Sequence, residues 1–435
     1  MEPIAIYCNI PGPRHTYVLD WIFRERLQVR YRLITDKAAA AQLPFCIAYG
    51  ATWPGALSIP ASGLLAEEHI DIPAPVTGTW GDVPVLFAES TQGYALPFDL
   101  FSAVFYLLSR YEEYASFAPD KHGRYPATAS ILYRQGWLSR PVVDEWLAAL
   151  RKLLKPHMAD APPAHFRYLP TYDIDMAYAH LHKGIRRIVG AYMRALMRMD
   201  VGQISERTLV LKKKQKDPYD SFRWLRQLHK EYGLHPVYFV LSAARTTAFD
   251  KNIHPYHPAM MRVIRNLVRD GATGIHPSYY SDKGDVMGSE KALLESVSGQ
   301  QISISRQHYI RMRLPGTYRQ LLANGITDDY SMGYGSHLGF RAGTGSSFPW
   351  FDLQANAVTA LRAHPFCFMD TTAHYEARLP VSDAFTQLHH MSATLQRTGS
   401  TLVTIFHNFS LGTDAEWKGW KQAYEHFLQD TVKAL

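Results

Sequence analysis

Short apolar runs alternate along the chain with stretches in which apolar residues recur at helical spacing. In the first part this alternation predicts a small α/β arrangement, with Asp99 as the N-cap of a helix. Strands are predicted at 4–7, 31–35, 45–49 and 83–87, and helices at 18–27, 99–114 and 141–154. The proline-rich stretch 155–163 then breaks the pattern and predicts a domain boundary.

A second pattern begins at Phe166, where short strands separated by helices and long loops predict βαβ units and a mostly parallel sheet. The predicted strands are 168–172, 236–241, 273–276, 302–308, 326–330, 366–369 and 402–407. Helices are predicted at 221–232, 258–270, 289–297, 318–323, 383–397 and 417–435. Seven strands in one domain could close into a barrel. We therefore expect a smaller α/β domain at 1–160 and a (β/α) barrel at 166–435.

The composition is that of a folded, globular protein. Of the 435 residues, 47% are hydrophobic and 20% are charged, which excludes a disordered chain. The start of the sequence has an acid, Glu2, and no apolar segment of the kind that a secretory signal or a spanning helix needs. Cys8, Cys46 and Cys367 are widely separated, which favours reduced thiols. We expect a cytoplasmic protein.

The net charge of +7 is concentrated in one segment. Residues 183–216 hold ten basic and two acidic residues, a net charge of +8, so the rest of the chain is about neutral. A protein that binds nucleic acid usually spreads its basic residues over a face of a recognisable module. We therefore expect no nucleic-acid partner.

The same segment has an amphipathic pattern. Apolar residues share a helical stripe, namely Ile185, Ile188, Val189, Tyr192, Ala195, Leu196 and Met199. Basic residues lie elsewhere on that helix, namely Lys183, Arg186, Arg187, Arg194 and Arg198. The pattern is typical of a helix in peripheral contact with an anionic membrane. A solvated flank packed on the barrel gives the same pattern, and both interpretations stay open.

Polar residues of the kinds used in catalysis follow several predicted strands. They are Asp173 and Asp175, His276, Arg306 and His308, and His407. Taken singly, an Asp-x-Asp pair is typical of a turn or a helix cap, and a lone histidine of a structural hydrogen bond. The carboxyl ends of parallel strands meet at one edge of a sheet, where α/β enzymes place their active sites. The coincidence at successive strands therefore favours a metal or proton-transfer site.

Several motifs carry a resemblance to a known family. They are Thr171-Tyr172-Asp173-Ile174-Asp175, Asp217-Pro218-Tyr219-Asp220, Ile275-His276-Pro277-Ser278-Tyr279, Ser305-Arg306-Gln307-His308 and Asp329-Tyr330-Ser331-Met332-Gly333-Tyr334. With them, residues 166–435 resemble the polysaccharide-deacetylase family (NodB-homology, carbohydrate esterase family 4-like), which includes chitin and peptidoglycan deacetylases. The sequence looks most similar to a bacterial branch with an uncharacterised N-terminal α/β domain. The resemblance implies a distorted seven-stranded (β/α) barrel of the deacetylase type.

The resemblance also implies roles for the main site residues. They are Asp173 as the general base, Asp175 and His276 as metal ligands, and His407 as the acid that protonates the leaving group. Arg306 matches the family's arginine motif only approximately, and Arg341 is a rival that we place nearer the substrate. Arg306 either orients Asp173 or forms a structural ion pair, and both roles stay open.

The sequence departs from the family where a second histidine is expected, four residues after His276. Tyr280 stands there, and a phenol with an unperturbed pKa of about 10 is a poor metal ligand near neutral pH. We expect His308 to supply the third donor, because it ends the strand that follows the His276 strand. Structural packing of His308 against Asp217 or Asp329 is the alternative.

The expected cofactor is a divalent metal ion, with zinc favoured, because zinc polarises an amide carbonyl and lowers the pKa of a bound water. Aromatic and basic residues near the strand ends are candidate substrate contacts, namely Tyr279, Tyr280, Tyr330, Tyr334, Arg341 and Trp350. Core packing is the alternative interpretation for the aromatic residues.

Together with the candidate site, the resemblance implies a metal-dependent hydrolase that removes an N-acyl group, such as acetyl, from an amino sugar or a glycan, free or lipid-linked. Hydrolysis of another non-peptide C–N bond stays open, because a fold does not dictate its substrate. A catalytically inactive barrel that binds glycan or scaffolds other proteins also stays open, because the second histidine of the family is replaced.

Overall fold

The computed structural model describes residues 3–158 and 161–432. The predicted domain boundary at residue 160 and the last residues of the helix predicted at 417–435 lie outside these ranges. The protein has a mixed α/β fold, with a four-stranded sheet in the first part of the chain and a curled, nine-stranded half-barrel sheet in the second. The expected fold class is confirmed. The division into domains at 1–160 and 166–435 stays a prediction.

The strands are β1 (Ile4–Tyr7), β2 (Tyr31–Ile34), β3 (Ile47–Tyr49), β4 (Leu57–Ile59), β5 (Thr77–Trp80), β6 (Val83–Leu86), β7 (Arg167–Ile174), β8 (Val237–Leu241), β9 (Ala272–His276), β10 (Ile304–Ser305), β11 (Asp328–Met332), β12 (Phe348–Asp352), β13 (Ala357–Pro365), β14 (Phe368–Met369) and β15 (Thr401–His407). The α-helices are α1 (Pro13–Leu19), α2 (Lys37–Ala41), α3 (Leu100–Leu108), α4 (Ile131–Arg134), α5 (Val142–Leu154), α6 (Ile185–Met197), α7 (Val201–Leu211), α8 (Phe222–Tyr232), α9 (Pro258–Asp270), α10 (Val286–Ser298), α11 (Gly316–Ala323), α12 (Val381–Thr398) and α13 (Trp420–Val432).

The first sheet is parallel and has the order β2-β1-β3-β4. The ring of Tyr49, the last residue of β3, contacts that of Phe101 in α3, with 5.2 Å between the ring centroids. Every residue of α3 is buried, as its almost wholly apolar sequence predicts. The predicted cap is present, because the carboxylate of Asp99 accepts a hydrogen bond from the backbone N–H of Ser102 at 3.0 Å. Strands β5 and β6 form a separate antiparallel pair.

The second sheet has the order β12-β13-β11-β10-β9-β8-β7-β15-β14. All neighbouring strands are parallel except β12 and β13. The seven strands predicted after residue 166 are all present and are neighbours in an unbroken row. Strand β8 is buried along its whole length, as expected for a parallel strand covered on both faces.

The number of strands was underestimated, because β12 and β13 were not predicted. Strand β13 alternates between buried and more exposed residues towards its end and is exposed at its start. Such a strand lacks the continuous apolar run that marks a buried parallel strand. Its alternating apolar and polar positions are few and include alanines, which have a low preference for strands.

The chain between β13 and β14 joins the two ends of the predicted seven-strand row. The backbone N–H of Phe366 donates to the carbonyl of Met332 in β11 at 3.2 Å. The next N–H, of Cys367, donates to the carbonyl of Val403 in β15 at 3.4 Å. The sheet is therefore curled enough to bring the carboxyl ends of its strands around one shared space.

Buried polar contacts tie the first part of the chain to the second. Arg341 donates to both carboxylate oxygens of Glu113, at 2.8 and 2.6 Å, and both side chains are almost fully buried. Asp144 at the start of α5 accepts from the hydroxyl of Thr344 at 3.0 Å and from the N–H of Gly345 at 2.8 Å. These contacts fix the segment that leads into β12.

The three cysteines, Cys8, Cys46 and Cys367, are buried, and none forms a disulfide. No helix within residues 3–158 and 161–432 combines the length and apolar character needed to cross a bilayer. The expected cytoplasmic location stays a prediction.

Candidate active site

The candidate residues meet at the carboxyl ends of four strands of the large sheet, β15, β7, β9 and β10. Asp173 lies near the end of β7 and pairs in register with His407, the last residue of β15. His276 is the last residue of β9, and His308 follows β10 by three positions. These strands lie in the parallel run β10-β9-β8-β7-β15, so their carboxyl ends lie along one edge of the sheet, as the sequence pattern predicts.

Asp175, His276 and His308 form a compact cluster of three ligand-type side chains. A carboxylate oxygen of Asp175 and one ring nitrogen of each histidine all lie within 4.8 Å of one another. Nε2 of His276 lies 3.2 Å from Oδ1 of Asp175, and Nε2 of His308 lies 3.4 Å from Oδ2. The predicted third donor is therefore placed beside the other two.

The other ring nitrogen of each histidine is held by an acceptor. Nδ1 of His276 donates to the carbonyl of Arg306 at 2.6 Å. Nδ1 of His308 donates to the carboxylate of Asp250 at 3.1 Å. With Nδ1 engaged in this way, Nε2 is the nitrogen of each ring that faces Asp175, as in the metal sites of proteins where a ligand histidine is held through its other nitrogen.

The donor set fits a divalent metal ion. Oδ1 of Asp175 is buried and accepts no hydrogen bond from the residues that the structure describes. Burial disfavours ionisation of Asp175, but the imidazole of His308, together with those of His276 and His407, lowers its pKa well below the usual value. An ionised, under-satisfied carboxylate beside two imidazole nitrogens is the set that zinc accepts in catalytic sites.

Asp173 lies beside this cluster and is fixed by a buried arginine. Nη1 of Arg306 donates to Oδ1 of Asp173 at 2.8 Å, and Nε of Arg306 donates to the carbonyl of Tyr330 at 2.9 Å. The other carboxylate oxygen, Oδ2, lies 3.7 Å from Nε2 of His276. Arg306 therefore orients Asp173 and leaves Oδ2 directed towards the cluster.

His407 is paired with an aspartate that the sequence analysis did not include. Nδ1 of His407 donates to Oδ1 of Asp370 at 2.7 Å, and its backbone N–H donates to Oδ2 at 2.7 Å. Burial lowers the pKa of His407, but the charge of Asp370 and a contact with Asp175 outweigh it and raise this pKa well above the usual value. The raised pKa favours the protonated form of His407, whose Nε2 lies 3.5 Å from Asp175.

A cavity of about 430 Å³ opens over these residues. Its lining includes the candidate catalytic and metal-binding residues, namely Asp173, Asp175, His276, His308 and His407. The first part of the chain also contributes to the lining, through Lys121, His122 and Arg124. A larger cavity, of about 880 Å³, lies elsewhere, between α5 and the end of α12, and contains none of the candidate site residues.

Arg124 contacts a short segment of the cavity wall, Tyr309 and Ile310, whose backbone conformation is unfavourable. Tyr309 and Ile310 have φ angles of 59° and 53°, in the left-handed region that bulky residues rarely adopt. Nη1 of Arg124 donates to the carbonyl of Tyr309 at 2.6 Å. Asp120 accepts from Nε of Arg124 at 2.7 Å. The contact keeps the ring of Tyr309 at the cavity wall, next to His308.

The structure does not bring the predicted substrate contacts to the cavity. Tyr330 stacks on His364 at 4.2 Å, Trp350 is buried against Tyr318, and Tyr334 lies in the buried network around Arg341. Arg341 itself is occupied by a bidentate ion pair, as described above. None of these four residues lines the cavity, and neither do Tyr279 and Tyr280, which follow the His276 strand. The structure therefore gives no support to a substrate role for these six residues.

Those two tyrosines, Tyr279 and Tyr280, occupy different surroundings. Tyr279 stacks on Phe249 at 3.8 Å, and its hydroxyl bonds to Nδ1 of His122 at 3.0 Å. Tyr280 is 41% exposed and lies outside the three-residue cluster, as expected for a residue that is not a metal ligand. The predicted alternatives for His308 are also not its partners, because Asp217 accepts from the N–H of His180 and Asp329 from Ser305.

Two positioning residues, Asp250 and Asp370, were missed. Asp370 directly follows the predicted strand 366–369, so the same rule that selected His276 and His407 would have included it. Asp250 lies in the long loop after β8, where no periodic pattern marks it. Its contact with His308 is visible only in three dimensions.

Comparisons with known proteins give a distant likeness. A protein-family model described as "Family of unknown function (DUF7033)" matches residues 4–159, less than half of the chain. No curated protein matches the sequence. Similar solved structures include a protein from Mycobacterium smegmatis provisionally assigned as a polysaccharide deacetylase, with 13% identity over 62% of this chain and 85% of that chain and a TM-score of 0.39.

Two other similar structures are of different kinds. The PuuE allantoinase has 14% identity over 63% of this chain and 89% of that chain, with a TM-score of 0.38. A CE4 family pseudoenzyme from Bacillus anthracis has 5% identity over 63% of each chain, with a TM-score of 0.33. Likeness at this level shows neither an activity nor a substrate for this chain.

Proposed function

We propose that this protein is a metal-dependent hydrolase that removes an N-acyl group, such as acetyl, from an amino sugar or a glycan. One observation carries the proposal. A three-donor cluster, a carboxylate fixed by an arginine and a histidine held by an aspartate all face one cavity. Amide hydrolysis needs these three elements, namely an electrophilic centre, a base and an acid.

Asp175, His276 and His308 would hold a divalent ion, which we take to be zinc because a carboxylate and two imidazoles suit it. Such an ion polarises an amide carbonyl and lowers the pKa of a water molecule when it is bound. Asp250 and the carbonyl of Arg306 contribute by fixing the tautomers of the two imidazoles, so that Nε2 of each ring is available.

Asp173 acts as the general base on the attacking water. Its Oδ1 is engaged by Arg306, and its Oδ2 is the oxygen directed towards the cluster. Arg306 is almost fully buried and serves as a positioning residue. It holds the carboxylate in one orientation, which a base must have before substrate arrives.

His407 acts as the general acid on the leaving amine. Its Nδ1 proton is held by Asp370, so its Nε2 proton is the one that can be transferred into the cavity. The raised pKa keeps that proton on the ring at neutral pH until the C–N bond breaks.

The cavity also has surfaces suited to a sugar. The exposed fractions of Tyr309 and Tyr375 are 38% and 48%, and both side chains line the cavity. We propose these rings as the platform for a sugar, in place of the predicted aromatic residues that are buried elsewhere. Lys121, in the first part of the chain, is an exposed lining residue that can donate to a sugar hydroxyl or an anionic group.

The proposal is tested by a substrate panel with purified protein. The panel contains N-acetylglucosamine oligomers, N-acetylated nucleotide sugars and small cyclic amides, each assayed after treatment with a chelator and again after zinc is restored. We expect acetate release from N-acetylated sugars that the chelator abolishes and zinc restores. Zinc-dependent hydrolysis of cyclic amides alone would change the substrate class, and activity insensitive to chelation would contradict the proposal.

A further inference from the structure

Helices α6 and α7 carry an unusual share of exposed apolar side chain. Among the described residues, nineteen large apolar or aromatic side chains are exposed, and eight of them lie between residues 185 and 209. They are Ile185, Val189, Met193, Leu196, Met197, Met199, Val201 and Leu209. Scattered apolar side chains are normal on a surface, but such a concentration marks an interaction site.

The exposed residues of α6 share one face. The exposed fractions are 81% for Ile185, 53% for Val189, 54% for Met193 and 73% for Met197. These residues follow one another at intervals of four, which places them along one side of a helix. A different face of α6 packs on the protein, since Ala195 is 3% exposed and the hydroxyl of Tyr192 bonds to that of Thr208 in α7 at 2.9 Å.

Basic side chains accompany this apolar face. The segment 183–216 has a net charge of +8, whereas the rest of the chain is about neutral. Arg186, Arg194 and Arg198 are exposed on or next to α6. An apolar face flanked by arginines is the composition of a helix that lies in a lipid interface, with aliphatic side chains among the acyl chains and cations at the headgroups.

We propose that α6 binds the surface of an anionic lipid membrane. Charge complementarity selects this occupant over a second copy of the chain, because self-association through this face would bring two segments of +8 together. A lipid surface also needs no complementary pocket, since aliphatic side chains insert individually. The inference does not depend on the proposed hydrolysis.

The surface lies next to the cavity. Nη2 of Arg187 in α6 donates to the carbonyl of Lys251 at 3.2 Å. Lys251 lines the cavity, and its neighbour Asp250 holds His308. A membrane contact through α6 would therefore place the cavity close to the lipid surface. Action on a lipid-linked glycan would follow from this placement. Only this statement about the substrate rests on the proposed function.

Vesicle flotation with the full chain tests the inference. The probes are phosphatidylcholine vesicles and phosphatidylcholine vesicles with about one third phosphatidylglycerol, at low and high salt. Wild-type protein should float with the anionic vesicles at low salt and remain behind with neutral vesicles or at high salt. The triple variant Arg186→Gln/Arg194→Gln/Arg198→Gln should bind about 100-fold more weakly, at about fivefold for each neutralised arginine.

Two further variants complete the test. Val189→Ser/Met193→Ser/Met197→Ser removes three of the four apolar side chains of the exposed face and should also abolish flotation. The matched control Lys37→Gln/Lys152→Gln/Lys155→Gln removes the same charge from exposed positions in the first part of the chain and should float like wild type.

Three outcomes would overturn the inference. The first is wild-type protein that fails to float with anionic vesicles at low salt. The second is flotation that the control variant loses as strongly as the arginine variant. The third is a wild-type dimer in light scattering that the serine variant dissociates, without any flotation, because α6 would then be an interface between copies.

Discussion

The carboxyl end of the large sheet and helix α6 depart from ordinary packing in opposite ways. The sheet end buries charged and polar side chains, and the helix exposes aliphatic ones. At the sheet end, Oδ1 of Asp175 is one of the buried polar atoms without a hydrogen-bond partner among the described residues, together with Nη2 of Arg306, Nε2 of Gln307 and Oδ1 of Asn408. In α6, aliphatic side chains stay exposed to water, which is unfavourable in free energy. Each region thus lacks a binding partner of a specific kind. The carboxylate at the sheet end indicates a cation, and the apolar face of α6 indicates an apolar surface.

Replacing the proposed base should give the largest effect. We expect Asp173→Asn to lower kcat by about 10²- to 10⁴-fold, because an amide cannot accept the proton of water. The metal content should stay unchanged, since Asp173 is not among the three ligand residues. Steady-state kinetics and elemental analysis of the same sample measure both.

Asp328→Asn is the matched control, because Asp328 pairs with His364 and does not line the cavity. That variant should keep near-normal turnover. Near-normal turnover in Asp173→Asn would show that the base is another group, and loss of metal in that variant would show that Asp173 is a ligand.

Removing the aspartate behind His308 should weaken metal binding. We expect Asp250→Asn to lower metal affinity about 10- to 100-fold, because the amide no longer fixes the tautomer or the basicity of the imidazole. Competition with a chromogenic zinc chelator gives the dissociation constant. An unchanged constant would mean that His308 does not bind the ion.

The pH dependence of catalysis should follow the Asp370–His407 pair. Asp370 raises the pKa of His407, so the protonated acid is present at low and neutral pH and is lost as the pH rises through that pKa. Asp370→Asn removes the negative charge and lowers the pKa. The alkaline limb of the kcat/KM profile should therefore move to lower pH, by about one to three units. A limb that stays in place would remove His407 from the role of acid.

The smallest effect is expected in α6, where the side chains of the apolar face are exposed. Met197→Ala removes a side chain that is 73% exposed, so the free energy of unfolding should change by no more than about 0.5 kcal/mol. Met260→Ala in α9 removes a fully buried one and should cost about 2–5 kcal/mol. Urea unfolding of both variants makes the comparison. A large loss in Met197→Ala would mean that this face is packed within the protein.

The sequence predicted the site better than its surroundings. Strand ends could be located from apolar runs, and parallel strands bring their ends together, so Asp173, His276 and His407 were found from pattern alone. His308 was found because the order of strands in the sheet follows the order in the chain over β7 to β11. Asp250 could not be found, because it sits in a loop whose course depends on tertiary packing.

Other parts of the site depend on contacts across the chain. The lining residues Lys121 and Arg124 come from the first part of the chain, and no local pattern links them to β7 or β9. Trp350 was predicted as a substrate contact because it was not recognised as part of β12, whose pairing buries it. The spacing of apolar residues predicts which side chains share a buried face of a helix or strand. It does not predict which of those side chains line a cavity and which pack in the core.

A crystal structure of the protein grown with zinc tests the central claim most directly. The account predicts one ion bound by Asp175, His276 and His308 within about 2.0–2.2 Å, with Asp173 and His407 facing the remaining coordination position. An ion held by Asp175 and His276 with His308 turned away from it, or zinc bound at other residues, would contradict the account.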